Sequence, residues 1–298
     1  VIKKIGVVGI KDAWSSLHLA QTIGEATGFS LLIDMHRISF DSQRNTLFFH
    51  DGRLEFDLRE LDAVIIKKIS HPYEASLAPR LDLLEFLEHA GVRFFPQPQR
   101  VSACYNRLAN TMILQKAGLP MPPTSITESF DAALKTIENY NVVVCKPLYS
   151  TKAEGMILLG ADDPDLEEKL RKFHASHRLL YLQKKIELPG YDLAVTFLGN
   201  EYLGTYARVK GKDAWDTTTR SGGSYFAFNP PAQVIRLADR AREAFGLDFT
   251  SVDVALTSDG PVFFEVSAFG GFRGLKEAWG IDVAARYVTY VLDQLENR

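Results

Sequence analysis

The sequence of 298 residues is 46% hydrophobic and 24% charged, long enough for two or three domains with a large core and too apolar for a mainly disordered chain. Thirty-four Lys and Arg against 37 Asp and Glu leave a net charge of -3, which excludes a global basic field for nucleic acid or anionic membrane and makes any anion site local. In chain order, residues 5–10 are a short apolar run, 15–27 place Leu17, Leu19, Ala20 and Ile23 at helical spacing, and 29–33 are apolar again, which reads as β-α-β. Residues 47–50 and 54–56 around Asp51-Gly52 read as a hairpin, 63–66 as a buried strand, 79–90 as a helix stopped by Gly91, and 92–95 as a further strand. Residues 1–97 are therefore expected to form a small open α/β domain with a mostly parallel sheet, left through Pro96-Gln97-Pro98.

A second unit over 98–185 begins with a helix at 107–116 ended by Gly118, followed by an extended passage stiffened by Pro120, Pro122 and Pro123. It continues with helices at 129–139 and 165–175 and strands at 142–146, 156–159 and 179–184. The third unit, 186–298, alternates strands at 191–198, 202–209, 249–256 and 261–266 with helices at 233–245 and 281–296. No repeat of 20–50 residues is present, so solenoids and propellers are excluded.

Lys146 ends the apolar strand Val142-Val143-Val144-Cys145, where a charged group either snorkels to the surface or meets an anion such as a phosphate. The following loop, Ser150-Thr151-Lys152-Ala153-Glu154-Gly155, is small and hydroxyl-bearing, suited to wrapping N–H groups around phosphate oxygens. Asp253 and Glu265 each interrupt an apolar strand on either side of the turn Ser258-Asp259-Gly260, so a period of two lets them face each other. Two facing carboxylates repel unless a cation such as Mg²⁺ joins them with substrate phosphates, or unless each pairs with Lys or Arg. Both readings stay open on these residues alone.

Other features read as structural. Gly6-Val7-Val8-Gly9 lacks the full dinucleotide fingerprint, His174 and His177 read as an exposed helix face, and Lys67-Lys68 reads as a solvated strand end or a reach toward an anionic substrate. Cys104 and Cys145 are too few for a disulfide scaffold or zinc cluster, and Cys145 reads as inert apolar filling. The opening VIKKIGVVGI lacks the features of a signal peptide and no apolar run approaches roughly 18 residues, so the chain is expected to be cytoplasmic.

Taken in order, Asn106-Arg107-Leu108, Gly118-Leu119-Pro120-Met121-Pro122-Pro123-Thr124, Val144-Cys145-Lys146-Pro147, Gln183-Lys184-Lys185-Ile186, Val252-Asp253-Val254 and Phe264-Glu265-Val266-Ser267 resemble the motifs of the ATP-grasp superfamily. The chain is similar to the branch of RimK-like glutamate ligases and glutathione synthetases, with a looser likeness to the ATP-grasp member of the GAK system. The resemblance covers nearly the whole chain. It implies an α/β ATP-grasp fold, with lobes at 98–185 and 186–298 clasping ATP behind a Rossmann-like pre-ATP-grasp domain at 1–97.

The resemblance also implies roles. Lys146 and Thr151 would meet ATP phosphates, Gln183, Lys184, Lys185 and Ile186 would form the hinge that reads adenine, and Glu187 or Asp192 would take the ribose. Asp253 and Glu265 would bind Mg²⁺, Arg208 would lie near the γ-phosphate, and Arg220 would sit in a substrate-facing loop. Four departures stand out: Arg107 replaces the first ATP-binding lysine, Ala153 a loop glycine, Lys184 the hinge acid, and Ser267 the asparagine of the metal site. The implied activity is an ATP- and Mg²⁺-dependent carboxylate–amine ligase working through an acylphosphate. Its expected partners are small-molecule or peptide carboxylates and amines, with no nucleic acid or membrane and with homo-oligomer formation open. A kinase acting on a hydroxyl and a non-catalytic nucleotide sensor or scaffold are the alternatives.

Overall fold

The first strand, β1 (Ile5–Val8), is buried along its whole length because it lies inside a parallel sheet rather than at its edge. The computed structural model describes residues 2–52, 55–70, 76–151, 153–209 and 224–297. Helix α1 (Trp14–Thr27) turns Leu19, Ala20 and Ile23 inward and ends at Gly28, whose φ of 75° is the left-handed conformation that glycine adopts without strain. It delivers the chain to β2 (Leu31–Ile33). The expected hairpin is present as β4 (Thr46–His50) against β5 (Glu55–Asp57), and β3 (Ile38–Asp41), which the pattern did not suggest, pairs on the far side of β4. After β6 (Ala63–Ile66), helix α2 (Leu77–His89) and β7 (Arg93–Phe95), the main sheet has the order β2-β1-β6-β7, all parallel.

Helix α3 (Pro98–Tyr105), absent from the sequence expectation, leads straight into α4 (Arg107–Lys116). Asn106 separates them, its side chain accepting from the N–H groups of Leu108 and Ala109 at 3.1 and 3.3 Å. The next strand, β8 (Thr124–Thr127), lies within what read only as a proline-stiffened passage and its sequel. With α5 (Phe130–Tyr140), β9 (Val142–Lys146), β10 (Ile157–Gly160), α6 (Leu166–Ser176) and β11 (Leu180–Lys184) it forms an antiparallel sheet of order β10-β9-β11-β8. Val143, Cys145, Leu159 and Leu182 on one sheet face meet Ala133, Ile137 and Leu170 from the two helices. His174 lies against the ring of Phe130 and His177 against the ring of Phe173.

The remaining strands, β12 (Tyr191–Leu198), β13 (Glu201–Val209), β14 (Ser224–Phe228), β15 (Phe249–Thr257) and β16 (Gly260–Ser267), make a five-stranded antiparallel sheet of order β14-β13-β12-β15-β16. Helix α7 (Ala232–Phe245) covers one face, packing Val234, Ala238 and Phe245 on Val195, Val252 and Val254. The other face meets α8 (Phe272–Trp279), a further helix not expected from sequence, and α9 (Val283–Glu296). The buried stripe of α9 (Val283, Ala284, Tyr287, Val288, Val291) also joins Leu19 and Ile23 of α1 and Ile5 and Val7 of β1 in one core. Burying each large apolar side chain there contributes about 1.5–3 kcal/mol, so the first and last segments of the chain are held firmly together. Among the described residues no helix is long and apolar enough to cross a membrane.

Candidate active site

A cavity of about 640 Å³ opens between the β8–β11 sheet, the five-stranded sheet and the C-terminal ends of β1 and β6. Every expected site residue that is described lines it; Arg220 lies outside the described residues. Lys146 reaches it from the end of β9, where its ammonium donates to Gln183 Oε1 at 2.6 Å and lies 5.6 Å from the centre of the Phe264 ring. Gln183 is itself buried, its amide donating to Thr124 Oγ1 at 3.1 Å and to the Tyr181 hydroxyl at 3.4 Å. Burial, reinforced by the Arg107 charge, pulls the Lys146 pKa from 10.5 to about 7 against the attraction of Glu265 and Asp253.

Arg107, which is 8% exposed, works as a brace. Its Nε donates to the Pro147 carbonyl at 3.1 Å, its Nη2 to Ser150 Oγ at 3.1 Å, and its Nη1 to Glu265 Oε2 at 3.2 Å. One planar side chain thus ties α4 to the loop after β9 and to β16, a span that a lysine with a single ammonium could not bridge in the same way. In that loop Thr151 faces the cavity, and Ala153 adopts φ 57°, the left-handed region in which glycine is at ease. Lys152 lies outside the described residues. At the end of β11 and just beyond it, Lys184, Lys185, Ile186 and Glu187 line another wall, with Lys185 donating to Glu187 at 2.8 Å.

The acids come together through strand register. Asp192 stands opposite Arg208, Ala194 opposite Asp253, and Asp253 opposite Glu265, so Asp192, Arg208, Asp253 and Glu265 fall on one sheet face. Arg208 bonds both oxygens of Asp192, with Nε to Oδ1 at 3.1 Å and Nη2 to Oδ2, and its Nη2 also lies 2.8 Å from Asp253 Oδ2. Burial opposes the Arg208 charge, yet Asp192 and Asp253 outweigh it and hold its pKa well above the ordinary value. Asp253 moves the other way: burial, with Glu265 and Asp192 nearby, raises it from 3.8 to about 7 despite Arg208.

Each of the two facing acids therefore carries an arginine, as one of the open sequence readings allowed. Each spends a single oxygen on it, leaving Asp253 Oδ1 and Glu265 Oε1 without a hydrogen-bond partner among the described residues. Ser267 lies at the end of the same strand, its hydroxyl accepting from the Phe269 N–H at 3.1 Å. Two orphaned carboxylate oxygens and a hydroxyl are hard donors that fit Mg²⁺. Among the described residues no group of three or more His, Cys, Asp or Glu is placed to hold a metal ion by itself, so such an ion would need further oxygens from a ligand.

One contributor has no reading from sequence, and a second lies where neither of its readings put it. Asn110, 2% exposed on α4, acts as a surrogate strand for the edge strand β16: its amide donates to the Val266 carbonyl at 2.8 Å and accepts from the Val266 N–H at 3.1 Å. Val266 lies between Glu265 and Ser267, and the only sequence signal was a polar residue on the buried face of α4. Lys67, expected either at a solvated strand end or reaching toward an anionic substrate, is 1% exposed and does not line the cavity. Its ammonium donates to the Phe269 carbonyl at 2.7 Å and lies 3.8 Å from the Phe272 ring centre, while Lys68 lines the cavity. Cys104 and Cys145 have thiols pushed up to about 12 by burial, so neither is an activated nucleophile.

Residues 104–291, well over half of the chain, match the family model of the RimK-like ATP-grasp domain. The chain belongs to the RimK-like ATP-grasp family. Over 99% of both chains it is 25% identical to a tetrahydromethanopterin:alpha-L-glutamate ligase from Methanosarcina acetivorans. It is 27% identical to the glutamate–LysW ligase ArgX of Sulfolobus acidocaldarius, covering 78% of this chain and 83% of that protein. Among solved structures it is similar to a RimK-domain ATP-grasp protein from Sphaerobacter thermophilus (TM-score 0.74, 20% identity, 96% and 98% of the two chains). It also resembles the ATP-grasp ligase PsnB complexed with a minimal precursor, Mg and ADP (TM-score 0.70, 20% identity, 98% of each chain). The fold is therefore ATP-grasp, and the cavity of this RimK-like chain lies between the β8–β11 sheet and the five-stranded sheet.

Proposed function

We propose that this chain is an ATP-dependent carboxylate–amine ligase that activates its acceptor as an acylphosphate. The observation that carries the reading is the gathering of Lys146, Arg107 and Arg208 with Asp253 and Glu265 around one cavity, with no activated thiol beside them. A carboxylate oxygen attacks the γ-phosphorus, the bond to the bridging oxygen breaks, and ADP departs with that electron pair. The amine then attacks the acyl carbon, loses its proton, and the carbon–oxygen bond to phosphate breaks. Such chemistry asks for charge neutralisation and positioning rather than a protein nucleophile.

In this reading residues 1–97 are the pre-ATP-grasp domain, 98–185 the first lobe and 186–298 the second. Gln183, Lys184, Lys185 and Ile186 face adenine, Glu187 approaches the ribose, and Lys146, Thr151 and Arg107 hold the phosphate end. Asp253, Glu265 and Ser267 hold Mg²⁺, which when bound neutralises phosphate charge. Arg208 meets the transferring phosphoryl group, and Arg220 is assigned to the substrate-facing loop.

The acceptor and donor are small-molecule or peptide carboxylates and amines, and the site of action is the cytoplasm. The naming of two relatives as glutamate ligases makes L-glutamate the first amine to test. The experiment is phosphate release from MgATP against pooled carboxylates and peptides, each with L-glutamate or with hydroxylamine to trap acylphosphate. The ligase reading predicts ADP, phosphate and an amide or hydroxamate in one pool. A stable phosphorylated alcohol in its place would contradict the reading.

A further inference from the structure

Asp192 is 7% exposed and stands directly opposite Arg208 across the β12–β13 ladder. Both of its oxygens are committed to that arginine, at the Nε and Nη2 edge of the guanidinium. This two-pronged contact fixes the plane of an arginine as well as its position. Nη1, by contrast, has no hydrogen-bond partner among the described residues, and Arg208 lines the cavity.

We infer that Asp192 is the positioning residue of Arg208, holding the Nε–Nη2 edge against the sheet so that Nη1 is the donor offered to a transferring phosphoryl group. The inference rests on the ligase reading, in which Arg208 meets that group. Asp253 shares Nη2, so a guanidinium anchored on Asp253 alone would move whenever Asp253 took another partner; the bond to Asp192 keeps it in place. A donor fixed in advance does not have to be reorganised during reaction, and a displacement of about 1 Å can cost about 100-fold. Asp192 thereby supports phosphoryl transfer rather than ribose binding.

The test needs no acceptor. Calorimetry measures the binding of ADP with Mg²⁺, with and without aluminium fluoride as a mimic of the transferring phosphoryl group, in wild type, Arg208→Gln, Asp192→Asn, Asp192→Glu and the Arg208→Gln/Asp192→Asn double variant. Aluminium fluoride should tighten ADP binding to wild type, and the tightening should fall about tenfold or more in Arg208→Gln and in Asp192→Asn. The double variant should be no worse than Arg208→Gln, because both changes remove one interaction. Asp192→Glu keeps the charge but shifts it, so it should show an intermediate loss, and it serves as the test if Asp192→Asn does not fold.

ADP alone should bind Asp192→Asn within about twofold of wild type, with an unchanged preference over 2′-deoxy-ADP; a merely structural role would weaken ADP as well. Loss of that preference would overturn the inference in favour of a ribose contact. Full tightening in both Asp192 variants with loss in Arg208→Gln would overturn it while leaving the role of Arg208 standing. Full tightening in Arg208→Gln, or none in wild type, would remove Arg208 from the phosphoryl group and the inference with it.

Discussion

Lys146 shows how one residue carries a readable charge signal. Its pKa of about 7 reflects burial next to Arg107, and nucleotide phosphates brought beside it favour the ammonium and lift that value toward 10.5. At about pH 8 the side chain is mostly neutral before binding and mostly charged after it, so binding takes up a proton. Calorimetry of ADP in chelator, in buffers of different ionisation enthalpy, should show this uptake, and Lys146→Met should lower it by about half or more. Equal uptake in the variant would separate Lys146 from the phosphates. Ser267 makes a second residue-scale test: an amide oxygen is a better Mg²⁺ ligand than a hydroxyl, so Ser267→Asn should reduce the Mg²⁺ needed for half-maximal ADP binding. An unchanged or higher requirement would place Ser267 away from the ion.

At the scale of elements, the site depends on β16, an edge strand whose outer side is satisfied by Asn110 of α4 at Val266 and by the Pro120 carbonyl at Phe263 rather than by another strand. Asn110→Leu removes both hydrogen bonds to Val266 and leaves its N–H and carbonyl unpaired in a buried setting, at a cost of about 2–4 kcal/mol. Hydrogen exchange over β16 should accelerate by about 30-fold or more, since opening there loses that free energy. Exchange at the wild-type rate would show that Asn110 does not hold the strand. Strongly apolar or amphipathic elements such as β1, β9, α7 and α9 were legible because burial imposes their pattern. Weakly patterned ones were not: β8 has only half-buried residues, α8 spans eight residues after two glycines, and β3 owes its place to β4.

At the scale of the whole molecule, the opposed positions of Asp253 and Glu265 followed from a period of two around a turn, and the ordered motifs pointed to the family. The arginines that pair with those acids did not follow, because Arg107 lies 158 positions from Glu265 and their contact exists only once α4 and β16 have packed. The burial of Lys67 is illegible in the sequence for the same reason, its carbonyl partner lying 202 positions away. With only two of the gathered acids keeping an unpaired oxygen among the described residues, the ion and the nucleotide should bind as a unit: Mn²⁺, followed by its paramagnetic signal, should bind far more tightly with ADP than without it. Equal affinity in both conditions would require ion ligands that this arrangement does not supply. The central claim is that an acceptor carboxylate takes the γ-phosphoryl group of ATP and returns an oxygen with it. Once the substrate screen has found an acceptor, its carboxylate is labelled with oxygen-18 and the released phosphate is read by mass spectrometry. One labelled oxygen is expected in each phosphate released by coupling to the amine; unlabelled phosphate, or a phosphorylated alcohol retained as product, would contradict acylphosphate formation.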